Sequence, residues 1–238
     1  GDASYGGADA SDNSGSLTYV RIEYPGIAFV PGNEINGLTC GGVGSSTVLD
    51  HIMVSRSGDD AFEFFGGTVN GKYLIAHNTY DDDFDTDFGF QGKIQFGLVK
   101  RDPNFADVSG SNGFESDNDA TGSTNSPQTN PTFSNMTVVG PIQNAGDVIN
   151  VNYKRGAHLR RNTNTDIFNS VIIGYPSGIM VDGALCEASA TANSLKVQNS
   201  IIAGHNNDFE VAVGSSFDAN AWFTTAAYNN SILDLSSD

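Results

Sequence analysis

The chain is poor in positive charge: 11 Lys and Arg stand against 28 Asp and Glu in 238 residues, for a formal net charge of −17. A surface this acidic repels nucleic acid and anionic lipid, which argues against both as partners. It suits divalent cations and an exterior where calcium is plentiful. Cysteine is also scarce. Cys40 and Cys186 are the whole complement, too few for a disulfide framework. No apolar run approaches the roughly 18 residues of a membrane span. No signal peptide is visible, and the opening "GDASYGGADASDNSGS" reads as a processed or trimmed start. Sustained helical periodicity, WD and kelch signatures, phosphate loops, dinucleotide fingerprints and Gly-x-Ser-x-Gly elbows are missing. So is the regular Thr array that ice binding would want. His51, His77 and His205 are scattered without metal-ligand spacing.

What is present is repetition. "FSNMTVVG" (133–140) returns as "FNSVIIGYPSG" (168–178), "VQNSIIAG" (197–204) and "YNNSILDL" (228–235), with Asn135, Asn169, Asn199 and Asn230 each just before a short β-branched run, at intervals of 34, 30 and 31 residues. "YVRIEYPG" (19–26), "HIMVSRSG" (51–58) and "KYLIAHN" (72–78) fit the same place in the cycle, and "FGLVKRD" (96–102) fits less well. One clear strand per unit and dense Gly/Asn/Asp/Ser punctuation predict an all-β, right-handed parallel β-helix of about eight coils. The whole of 1–238 reads as a single domain. Asn at the turn can take the left-handed conformation and bond its stacked equivalent. Val20, Ile22, Ile52, Val54, Val138, Ile172 and Ile201 or Ile202 are expected to point inward. With about five coils between them, Cys40 and Cys186 should not be bonded to each other.

Three segments share the pattern Asp/Asn-x-Phe-acid: "GDDAFEFFGG" (58–67), "YDDDFDTDFGF" (80–90) and "GSNGFESDNDA" (110–120). Stacked one coil apart, they place the phenylalanines in an interior column and Glu63, Asp85 and Glu115 on a common outer strip, preceded by Asp60, Asp82 and Asn112. Carboxylates this close repel by about 1 kcal/mol per pair even when well solvated. A hard cation with oxygen ligands removes that cost. Asp59, Asp60, Asp81, Asp82, Asp83, Asp85, Asp87, Glu115, Asp117 and Asp119 are the candidate ligands, with calcium as the ion. The spacing matches neither an EF-hand nor the glycine-rich nonapeptide repeat, and an acidic edge that discourages strand addition is the competing reading. Phe84 and Phe88 should anchor the 81–87 run from the core, with a turn or bulge between Asp83 and Asp87. The one basic cluster, "YKRGAHLRR" (153–161), holds four of the eleven Lys and Arg. Lys154, Arg155, His158, Arg160 and Arg161 there are either ligand-binding residues or an ion-pair belt on acidic neighbours.

"DNSGSLTYVRIEYPGIAF", "NEINGLTCGGVGSSTVLDHIMVSRSGDDAFEFFGGTVNGKYLIA", "DDDFDTDFGFQGKIQFGL" and "GSNGFESDNDATGSTN" together resemble a group of extracellular bacterial parallel β-helix proteins, surface lipoproteins or secreted proteins of Bacteroidetes and marine proteobacteria. The resemblance is close over about residues 5 to 140 and looser beyond. It implies an exported β-helix at the outer cell surface, lacking N-terminal coils of a longer precursor, and it implies no established reaction. The expectation is a calcium-stabilised binding or scaffold module for polysaccharide or another cell-surface component, within a larger surface assembly. The alternative is a calcium-dependent polysaccharide lyase or a glycoside hydrolase using pairs such as Asp82–Asp83 or Asp59–Asp60, which work together only in a turn.

Overall fold

Short runs of Val, Ile and Phe between Gly, Asn and Asp clusters cannot close a core alone, so each must stack on the next. The computed structural model describes residues 4–27 and 35–234. Its strands form two parallel sheets, one of twelve strands and one of seven. Every coil contributes to the first sheet, and the first seven contribute to the second. Coil 1 holds Ser16–Glu23 and Leu38–Gly41, coil 2 Val48–Ser55 and Phe62–Phe65, coil 3 Asn70–His77 and Phe84–Asp87. Coil 4 holds Lys93–Gln95, Leu98–Lys100 and Phe114–Ser116, and coil 5 Thr132–Ser134, Thr137–Val139 and Arg155–Leu159. Coils 6 and 7 repeat that plan, and Ser231–Leu233 starts an eighth. The protein is a parallel β-helix with the expected number of coils. The helices Ala184–Thr191 and Ala219–Phe223 are insertions between coils.

The core is a set of columns running along the axis. Ile22, Val54, Ala76, Val99, Val138, Ile172, Ile202 and Ile232 are in continuous register. Val54 through Ile202 in that column are fully buried, while Ile22 and Ile232, in the terminal coils, are partly covered. Of the residues expected inside, Ile52 is buried and Val20, on coil 1, is half-buried. Ile202, not Ile201, faces in. Both cysteines are free and buried.

The left-handed corner of the first sheet follows the expected position and departs from the expected residue type. Asn135, Asn169 and Asn199 have φ of 57, 50 and 53°. In the last coil the corner is Asn229 (φ 54°), one residue before the expected Asn230; the Asn230 amide instead donates to the carbonyls of Val197 and Phe223. In the early coils Tyr19, His51, Tyr73 and Phe96 occupy the corner (φ 56, 53, 55 and 61°). Their rings stack on one another at 4.4, 4.4 and 5.1 Å, so self-stacking replaces the amide ladder that Asn would supply.

Candidate functional site

The second sheet builds the acidic strip by register alone. Phe62, Phe84 and Phe114 pair in one column, and Glu63, Asp85 and Glu115 pair in the next. The three rings are fully buried and stack at 5.2 and 5.8 Å. Period-2 alternation then aims the three acids outward. The residues before each strand form a second ladder: Asp60 Oδ1 accepts the Asp82 backbone N–H (2.8 Å), and Asp82 Oδ1 accepts that of Asn112 (2.5 Å). The negative stretch is bounded along the axis. Asn36 and Thr39 stand on its coil 1 side, and His158 takes the next register position after Glu115.

Carboxylates from three coils converge. Asp59–Asp60–Asp81, Asp60–Glu63–Asp85 and Asp82–Asp85–Glu115 each bring one ligand atom per residue within 4.8 Å of the others. The triads overlap at Asp60 and Asp85, so they form one continuous cluster. Burial, followed by the charges of neighbouring acids, pushes Asp60, Asp82 and Asp85 well above the usual carboxylate range. Burial and then Asp59 push Glu63 up to about 8. Burial also raises Asp81 and Asp87 to about 6. Among the described residues, four buried oxygens in and around the cluster lack hydrogen-bond partners: Asn36 Oδ1, Asp81 Oδ1, Asp85 Oδ1 and Asn112 Oδ1. Asn112 is only 1% exposed, and its amide nitrogen donates to Asp82 Oδ1 (3.1 Å), Gly110 O (3.0 Å) and Glu115 Oε2 (3.2 Å). An orphaned oxygen in such a place costs about 1–3 kcal/mol, and a hard cation would satisfy it.

The strip differs from the sequence expectation at several residues. Asp83 points inward. It meets the Arg101 guanidinium at 2.8 Å with both side chains fully buried, beneath Tyr175 and Tyr153. Alternation counted back from Phe84 fails because residues 80–83 form bends that precede the strand. Phe84–Asp87 is a regular strand, so the turn expected between Asp83 and Asp87 lies instead at 88–89. Phe88 sits in that turn at φ 50° and is half exposed, while Phe84 alone anchors the core side. Asp87 accepts the Phe88 backbone N–H (2.6 Å) and stands outside the triads. Asp119 closes its own loop, accepting from Thr121, Ser123 and Asn125, and hydrogen bonds hold its carboxyl well below the ordinary range. Asp117 pairs with Arg160 and Arg161, both at 2.7 Å.

The basic cluster lies one coil beyond the strip. Arg160 bridges Asp117 and Glu115, and His158 bridges Glu115 (3.4 Å) and Asp182 (2.9 Å). Arg155 pairs with Glu210 (2.7 Å), and Lys154 donates to the Val151 carbonyl (3.1 Å). Arg160, Arg161 and Asp182 also line a shallow cavity of about 380 Å³. Glu63, Asn36 and Asn112 belong to the cluster but are absent from the ligands chosen by sequence. For Glu63 the signal was available, since it shares the register of Asp85 and Glu115.

Compared with known families, residues 1–233 match the pectate-lyase like beta helix domain. No curated protein and no solved structure matches the chain. Coils, register and this match agree, and the chain belongs to the pectate-lyase like beta helix domain family.

Proposed function

We propose that the chain is a polysaccharide-binding β-helix module of the outer cell surface or exterior, with calcium held in the acidic strip. The observation that carries this reading is the set of three overlapping carboxylate triads, with four buried oxygens in and beside them that lack hydrogen-bond partners among the described residues. The donors are all oxygen, from Asp, Glu and Asn, which favours calcium over zinc or copper. Asp59, Asp60, Glu63, Asp81, Asp82, Asp85 and Glu115 would hold the ion, and its charge would let a net-negative protein accept the carboxylates of an acidic polysaccharide. Family membership supports the ligand class. Calorimetric titration of chelator-stripped protein with calcium is expected to show saturable binding that Asp85→Asn weakens. Acidic polysaccharides are expected to bind only with calcium present. No calcium binding by the wild type would overturn the reading.

A second reading is a polysaccharide lyase or glycoside hydrolase. Glu63, pushed up to about 8, would be protonated at neutral pH and available as a general acid. A bound cation would hold the same carboxyl ionised, so the two readings use Glu63 in opposite ways. Reducing-end or unsaturated product released from the same polysaccharides, abolished by Glu63→Gln, would favour the enzyme.

A further inference from the structure

Beside the acidic strip lies a second feature of different chemistry. A cavity of about 340 Å³ is walled by the rings of Tyr5, Phe65 and Phe88, a floor of glycines, and the polar side chains of Asp9 and Gln91. That volume lies at the low end for small-molecule sites. It adjoins the strip directly, because Phe65 and Glu63 alternate onto the same outer face of Phe62–Phe65. The Tyr5 ring lies over Gly41, the register partner of Phe65 on coil 1.

The three rings are arranged unlike those of the first sheet. Tyr5–Phe65 and Phe65–Phe88 are tilted by 37 and 48° at 6.1 and 5.8 Å, so their faces are not consumed by parallel stacking. Tyr5 is 52% exposed and Phe88 50%. Phe88 holds a backbone conformation that Asn or Gly adopts far more readily. The fold gains little from an exposed ring there. Among the described residues, no Lys, Arg or His lines the cavity, and the one charged lining residue is acidic. A carboxylate-bearing sugar would be repelled from it. A neutral pyranose fits, with an apolar face for the rings and hydroxyls for Gln91, Asp9 and the glycine backbone.

We propose that this cavity is a subsite for an uncharged pyranose next to an acidic unit held at the strip. The ligand would then be a mixed glycan of neutral and acidic sugars, not a homopolymer of uronate. This rests on the reading of the chain as a calcium-dependent polysaccharide binder and names the class of polysaccharide.

The test compares two octasaccharides by calorimetry with calcium present: one built from glucose, glucuronate, glucose and rhamnose repeats, the other octagalacturonate. The mixed glycan is expected to bind more tightly by about tenfold, the size of a buried aromatic contact. Phe88→Asn suits the left-handed turn and removes the ring, so it should keep the fold and the calcium affinity while erasing that preference. Tyr5→Ala, on an exposed arm, should act in the same direction. Equal binding of the two glycans, or equal losses for both in Phe88→Asn, overturns the subsite and leaves the calcium-dependent reading standing. Failure of both glycans to bind in calcium sinks the two together.

Discussion

Asp83 and Arg101 show how far a single side chain can stray from its neighbours' pattern. Five aspartates stand at 81, 82, 83, 85 and 87, yet only Asp83 turns into the coil, where Arg101 reaches it at 2.8 Å and donates to the carbonyls of Thr79 and Asn112, both at 2.6 Å. Burial holds the Asp83 carboxyl up at about 6 against the pull of that guanidinium. Removing one partner leaves a buried charge uncompensated, so Arg101→Met is expected to destabilise by about 3–5 kcal/mol. The double variant Asp83→Leu/Arg101→Met should recover most of the loss. Urea denaturation of the two proteins decides this, and a single variant as stable as the wild type would contradict it. Nothing in the sequence announces the pair. Arg101 follows a strand ending in Lys100 and reads as a solvated neighbour, and Asp83 reads as one more member of an acidic run. The cysteines were legible because their separation along the axis forbids a bond. With both thiols buried and pushed up to about 11, a thiol reagent should modify neither until the protein unfolds, and then both.

In the strands Phe62–Phe65, Phe84–Asp87 and Phe114–Ser116 the sequence pattern carried most of the information. Steps of 22 and 30 residues and period-2 alternation suffice to place the phenylalanines inside and Glu63, Asp85 and Glu115 outside. The connections were less legible. Aromatics at the left-handed corners defy local propensity and are held by stacking with the next coil, which no single segment reveals. The match of Arg160 and Arg161 to Asp117 depends on the register of coil 5 on coil 4, which unequal insertions hide. The acidic strands also set a pH dependence. Asp60, Glu63, Asp81, Asp82, Asp85 and Asp87 are all raised in the folded state, whereas in the unfolded chain they titrate near 4. The folded state therefore binds more protons between those values, and stability falls as pH rises through about 6 to 8. His205, held low by burial, works in the opposite sense but is one group against these six and Asp83, which burial also raises. In chelator, the denaturation midpoint is expected to be lower at pH 8 than at pH 5.5, and Asp85→Asn should flatten the slope. A midpoint that rises with pH in chelator would contradict the assignment.

A solenoid spreads stability locally, because each coil touches only its neighbours. The two sheets run continuously past the strip, with coils 2 to 4 carrying the acids and coil 7 lying beyond the Glu115–His158–Asp182 bridge. This architecture was readable from repeat length and Asn spacing, whereas the use of the strip was not, since an acidic edge and a cation site share one composition. Stability under ligand separates them. If calcium binds only the folded chain, free ion at 100 times its dissociation constant adds about 2.7 kcal/mol. Simple screening of repulsion would stabilise too, so monovalent salt at matched ionic strength is the control. The local character of the fold makes the sharper demand. Calcium should slow amide exchange at 59–64, 81–87 and 112–117, where the triads and their backbone ladders lie, and should leave 196–211 on coil 7 nearly unchanged. Asp85→Asn, which strikes a residue shared by two triads, should remove the protection from all three segments together. Uniform slowing along the chain, or slowing equalled by matched sodium chloride, would mean that the strip answers to ionic strength alone and holds no ion of its own.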